Sequence, residues 1–167
     1  DKRTVEVEVN DVSGLEIERL ANGKLVEKPR NAMFGSLSDR DIAILKNIFL
    51  KDIPTIDAER SVLLLTQPLF TDRIVDSEEK QVELYKTIVR KVTFGEQLVI
   101  KPHPRDLLDY SVIFPEAILI DKNMPLEILG LAQNAEYHAI VSISSTAMNF
   151  LKAKNYFIMK EMLEEQK

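Results

Sequence analysis

Two short strings hold most of the residues that could do chemistry. The first is Lys101-Pro102-His103-Pro104-Arg105. Its prolines fix φ and keep the preceding residues out of the helical region, so His103 is presented on a stiff backbone. Lys101 and Arg105 flank it with positive charge. An oxyanion held here would favour a protonated His103, and each sheltered charge-assisted hydrogen bond would contribute about 1.5–3 kcal/mol. The same string also suits a strand-ending turn whose imidazole meets a backbone carbonyl. The second string is Ser142-Ile143-Ser144-Ser145-Thr146, four hydroxyls where a strand is expected to pass into a helix. A helix N-terminus offers free N–H groups and a positive partial charge, which together hold anions. Simple capping by Ser144 or Ser145 is the other reading. Between the strings, Pro125 suits the first turn of a helix and Glu127 lies just inside it. Glu127 reaches either a ribose or base edge or only the helix dipole.

These strings need elements to hold them. Val62–Leu65, Leu98–Ile100, Ala117–Ile120 and Ala139–Val141 are short continuous apolar runs, the pattern of strands buried on both faces. Tyr156–Ile158 is a candidate fifth strand. Glu78 and Glu79 open a helix whose stripe is Val82, Tyr85, Ile88 and Val89, and Gly95 breaks it. Pro125 starts a helix carrying Leu126 and Leu129, and a helix with Met148 and Leu151 follows Ser144 or Ser145. This alternation predicts an α/β fold, a Rossmann-like parallel sheet with flanking helices, over residues 59–167. Ligands of such sheets sit beyond the carboxyl ends of the strands, where both strings fall.

Residues 1–58 read as an appendage. Val5, Val7 and Val9 alternate with Glu6 and Glu8 as a half-buried strand. Asn22-Gly23 between Leu15–Ala21 and Lys24–Lys28 predicts a β-hairpin. Ser38 and Asp41 form a capping box for a helix ending near Leu50. The chain opens at Asp1 and enters a strand almost at once, which reads as the start of a fragment.

Composition narrows the functions. The 167 residues are 45% hydrophobic and 29% charged with a net charge of -5, so no basic stripe for nucleic acid is expected. The absence of cysteine rules out disulfides and thiolate metal sites, and two histidines make a histidine-based metal cluster improbable. Neither a Walker nor a GxGxxG pattern is present, and the G-x-S-x-G elbow of a serine hydrolase is missing. His138, just before a strand, reads as structural.

Ile100-Lys-Pro-His-Pro-Arg105, Pro125-Leu-Glu-Ile128 and Ser142-Ile-Ser-Ser-Thr146, in that order, resemble the C-terminal half of bacterial lipooligosaccharide and capsule sialyltransferases (glycosyltransferase family 52-like). The resemblance runs from Ser61 to Lys154. It implies one half of a GT-B pair of Rossmann-like domains that binds CMP-sialic acid without a metal or other cofactor. His103 would then contact the CMP phosphate and assist its departure, with Pro104 setting the ring's orientation and Lys101 and Arg105 alongside. Ser144, Ser145 and Thr146 would bond the same phosphate, and Pro125 and Glu127 would lie near the ribose.

The family's general base sits in an acidic-acidic-glycine triplet of the N-terminal domain, and this sequence contains no such triplet. The resemblance therefore implies a partner domain that supplies the base, and a glycan acceptor. It implies a cytoplasmic protein, with peripheral association to the inner membrane and a homodimer both left open. A CDP-glycerol-type glycerophosphotransferase domain shares the His-Pro and Ser-Ser features, although that family usually carries Asp-Tyr where Ser142-Ile143 stands here. A non-catalytic nucleotide-binding domain is the third reading.

Overall fold

A computed structural model describes residues 6–11, 13, 25–51, 53–132, 136–144, 148 and 150–166. The chain forms two compact units, Asp1–Ile44 and Leu45–Lys167.

In the first unit, strand β1 (Val7–Val9) pairs with β2 (Leu25–Glu27) in parallel, Val7 opposite Leu25. The expected hairpin, residues 15–21 against 24–28, has its turn and first arm outside the described residues; β2 lies within its second arm. Lys28 is ion-paired with Glu8 and, at 3.6 Å, with Glu6. Helix α1 (Arg30–Gly35) follows, then α2 (Asp39–Phe49), which runs across the division between the units. The capping box is present. The Asp41 amide donates to Ser38 Oγ at 3.2 Å, and the Ser38 amide donates to the Asp41 carboxylate at 3.2 Å.

The second unit is built on five parallel strands: β3 (Ser61–Leu65), β4 (Gln97–Lys101), β5 (Ile118–Leu119), β6 (Tyr137–Ser142) and β7 (Ala153–Ile158). Their order is β5-β4-β3-β6-β7. All five residues of β3 are buried, as its uninterrupted apolar run requires of a central strand. Helix α3 (Glu78–Val92) starts at Ser77, whose hydroxyl accepts the Lys80 amide, with Glu78 and Glu79 in its first turn and Arg90 and Lys91 in its last. Both charge placements complement the dipole. Its buried face is Gln81, Leu84, Tyr85, Ile88 and Val92, so the stripe is centred on Leu84 and contains a glutamine. Gly95, at φ 119°, turns the chain into β4. Helices α4 (Tyr110–Ile113) and α5 (Leu126–Ala132) complete the unit; α4, which begins at the cap residue Asp109, is not foreseen from the sequence.

One expected element is corrected. The α-helix after β6 is not found among the described residues. Met148 and Phe150 lie in a 3-10 turn, with the Leu151 amide on the Met148 carbonyl, and β7 has begun by Ala153. Too few residues separate β6 from β7 for an α-helical crossover. Space is tight as well: a Cβ on Gly130 of α5 would collide with the Phe150 carbonyl oxygen, so α5 lies almost on the backbone of that turn.

Candidate functional site

The sheet order places a topological switch at its centre. From β3 the chain builds outward through β4 and β5, then crosses to the other side for β6 and β7. A crevice opens at such a reversal, beyond the carboxyl ends of the strands. The register levels those ends, since Leu65 lies opposite both Lys101 of β4 and Ser142 of β6. His103 and Ser144 each lie two residues past this line, on strands separated only by β3. Two strand spacings are about 10 Å. An anion with one hydrogen bond on each side spans roughly 8 Å, so it nearly fills that gap.

His103 is held in a tight turn. The Asp106 amide donates to the His103 carbonyl at 2.9 Å, which makes His103-Pro104-Arg105-Asp106 a β-turn with proline at its favoured second position. Within it the Arg105 amide donates to His103 Nδ1 at 3.1 Å. Nδ1 is thereby an acceptor, and the neutral ring carries its proton on Nε2. Burial lowers the His103 pKa, and Arg105 and Lys101 lower it further, while Asp72 and Asp106 oppose them. These shifts belong to the chain without a bound oxyanion, and a bound oxyanion is the condition under which the sequence expects protonation. Protonating Nδ1 would break the bond that the turn makes to it, so the ring is set to donate a hydrogen bond rather than a proton.

The turn rests on a buried polar network that sequence reasoning missed. The Asp106 carboxylate, 3% exposed, accepts from the Thr66 hydroxyl (2.9 Å), the Tyr110 hydroxyl (2.7 Å), the Gln81 amide (3.1 Å) and the Leu108 backbone (3.3 Å). Thr66 Oγ1 in turn accepts the His103 amide at 3.3 Å. From α3, Tyr85 takes the Gln67 amide at 2.6 Å and donates back to the Gln67 carbonyl at 3.0 Å. Gln81 takes the Phe70 amide at 2.7 Å. Burial pushes both Tyr85 and Tyr110 far above the usual phenol range, so both remain hydroxyl donors.

This network explains the lack of a glycine-rich loop. In dinucleotide-binding folds, the first strand-to-helix loop cradles phosphate with free amides. Here the amides of Thr66, Gln67, Leu69 and Phe70 are all engaged by Lys101, Tyr85, Gln67 and Gln81. That loop has no amide left to offer over residues 66–70. An anion at this edge would have to be held by side chains from neighbouring loops. Gln67 points across the switch, where its Oε1 accepts the Ser144 hydroxyl at 3.1 Å. Thr66 and Gln67 thus touch the His103 turn on one side and Ser144 on the other.

The remaining expected residues divide. Ser145 and Thr146 lie outside the described residues. Pro104 is exposed in the turn, and the Pro125 carbonyl accepts the amides of Ile128 and Leu129 in α5. Arg105 forms a two-pronged ion pair with Asp72 (2.7 and 3.0 Å) that ties the turn to the loop after β3. Glu127 and Asp121 act electrostatically on Lys101. The Lys101 ammonium is buried against the Pro102 and Lys122 carbonyls (2.8 and 2.9 Å), where it joins the β4 and β5 loops. His138 sits at the other end of the sheet, 3.6 Å from Glu96.

Burial lowers the Lys101 pKa to about 8, against the pull of Asp121 and Glu127. The sign follows from proton counting. Above about pH 8 the folded chain sheds this proton while the unfolded chain keeps it up to about 10.5, so stability rises with pH across that window. Urea midpoints at pH 7.5 and 9.5 are expected to show this rise, measured as the difference between wild type and Lys101→Met. Equal pH responses of the two chains would remove Lys101 as its source.

One cavity, about 760 Å³, lies at the amino ends of the strands and is lined by Asp57, Arg60, Glu96 and Glu116 among others. Three carboxylates against one guanidinium do not suit an anion. A second cavity, about 440 Å³, adjoins the His103 turn and is lined by Pro102, Leu108, Tyr110, Ile120 and Asp121 among others.

Fold and site together define a Rossmann-like α/β unit with His103 and Ser144 just beyond the carboxyl ends of β4 and β6. Comparison with known proteins identifies the family: the model for glycosyltransferase family 52 matches residues 9–162, and the chain belongs to that family. It is also similar to an uncharacterized protein of Haemophilus influenzae, 39% identical over 114 residues, which are 68% of this chain and 36% of that protein. The matched part thus spans about a third of that relative's length. No solved structure matches the chain.

Proposed function

We propose that this chain is the donor-binding part of a sialyltransferase that takes CMP-sialic acid and serves a cell-surface glycan acceptor of the lipooligosaccharide or capsule kind. The observation that carries the reading is the Thr66-Gln67 bridge, which joins the His103 turn to Ser144 across the switch crevice. In this reading the CMP phosphate lies between His103 Nε2–H and the hydroxyls of Ser144, Ser145 and Thr146. The nucleoside extends toward the cavity beside Tyr110, with Pro125 and Glu127 near its ribose. The acceptor oxygen attacks the anomeric carbon of sialic acid, and the bond to phosphate breaks with its electron pair leaving on CMP. Negative charge gathers on the phosphate, where a preorganised donor stabilises it most. No metal is needed for that role. The acceptor's proton passes to a base in a separate domain, and the enzyme works at the cytoplasmic side of the inner membrane.

Calorimetry with CMP tests this. The chain is expected to bind CMP in preference to CDP-glycerol, and His103→Ala is expected to weaken CMP about tenfold or more, the loss of one charge-assisted hydrogen bond. The chain alone is expected to transfer no sialic acid. Tighter binding of CDP-glycerol, or a His103→Ala chain that binds CMP as well as wild type, would overturn the reading.

A further inference from the structure

Thr66 and His103 are distant in sequence, yet the level register of β3 and β4, which ends at Leu65 opposite Lys101, brings them within hydrogen-bond reach. The Thr66 hydroxyl does two things at once: it donates to the buried Asp106 carboxylate and accepts the His103 amide. Since its single proton goes to Asp106, its lone pairs are free to take the His103 N–H. Asp106 closes the same turn from the other end, its amide on the His103 carbonyl. Three further donors, from Gln81, Tyr110 and Leu108, fix the carboxylate itself. Both backbone groups of His103 are therefore governed by Asp106, one directly and one through Thr66.

We propose that Thr66 and Asp106 are positioning residues for His103: they hold its backbone so that Nδ1 stays on the Arg105 amide and Nε2–H is the donor presented to the crevice. The positioning of the ring stands on its own. Its consequence for a nucleotide rests on the reading above.

The test uses the whole chain, with nitrogen-15 NMR of the His103 ring and calorimetry with CMP. Wild type is expected to show one fixed tautomer, with the proton on Nε2. Thr66→Val keeps the shape but loses the hydroxyl. It is expected to average the two tautomers and to raise the CMP Kd about tenfold, and Thr66→Ser is expected to restore both. A folded Thr66→Val chain with the wild-type ring signature would overturn the proposal, even if its melting temperature fell, because a merely structural threonine does that. Should Thr66→Val not fold, Tyr110→Phe removes one donor from Asp106 and keeps Thr66. Partial averaging then supports the proposal and an unchanged ring overturns it. If wild type does not bind CMP, the nucleotide reading fails, while the ligand-free ring signature still decides the positioning role.

Discussion

Asp106→Ala is expected to lower the unfolding free energy by about 4 kcal/mol, a large part of the roughly 5–15 kcal/mol that holds a domain of this kind together. The carboxylate is a shared acceptor for the Thr66 and Tyr110 hydroxyls, the Gln81 amide and the Leu108 backbone. A buried donor left without an acceptor costs about 1–3 kcal/mol. Four are orphaned at once, but Gln81 keeps the Gln67 carbonyl, and water entering the vacated space recovers part of the loss. Asp106→Asn is expected to cost about half as much, because one oxygen remains while the new amide faces donors. Urea unfolding measures both, and hydrogen exchange at Gln67 and His103 is expected to quicken, since the two loops lose their common anchor. A loss below about 1 kcal/mol in Asp106→Ala would mean that the neighbours find other partners, and the network would not be what holds the turn.

The chain shows which parts of this arrangement can be read before folding. The buried runs at Val62–Leu65, Leu98–Ile100 and Ala139–Val141 mark central parallel strands because only strands covered on both faces tolerate such uninterrupted apolar sequence. Ser38 and Asp41 are legible because a capping box is local. Asp106 is not, because its meaning depends on Thr66, Gln81 and Tyr110, which converge only once β3 and β4 are in register and α3 has packed over them. A trace exists in Gln81, which sits at a buried position of the α3 stripe. Buried polar groups need partners, so that residue points to an interior acceptor without naming it. The surroundings of Lys101 are hidden for a related reason. A lysine beside a histidine reads as an anion contact, but its stem is buried in β4 and its ammonium reaches two carbonyls. The hydroxyl run after β6 suggests a capped helix because serine and threonine favour that position, whereas the short return to β7 leaves no length for one.

Gln67→Glu is expected to reduce CMP affinity more than a hundredfold while leaving the fold intact. Tyr85 and Gln81 hold the backbone of Gln67, and its side chain is what crosses the switch to Ser144. The substitution keeps the shape and the acceptor for Ser144 but adds a negative charge where the proposed phosphate would lie. At about 5 Å and an effective dielectric near 20, two like charges repel by roughly 3 kcal/mol, which is more than two decades in Kd. There is a second, smaller effect. A carboxylate holds the Ser144 proton more tightly than an amide does, so the hydroxyl is less ready to turn to an incoming phosphate. Gln67→Ala separates the two: it frees Ser144 without adding charge, and its Kd is expected to stay within about threefold of wild type, below the worth of one net hydrogen bond. Calorimetry on the three chains at equal ionic strength makes the comparison. If Gln67→Glu binds CMP as wild type does, the anion does not lie between the β4 and β6 loops, and both Gln67 and Ser144 leave the site.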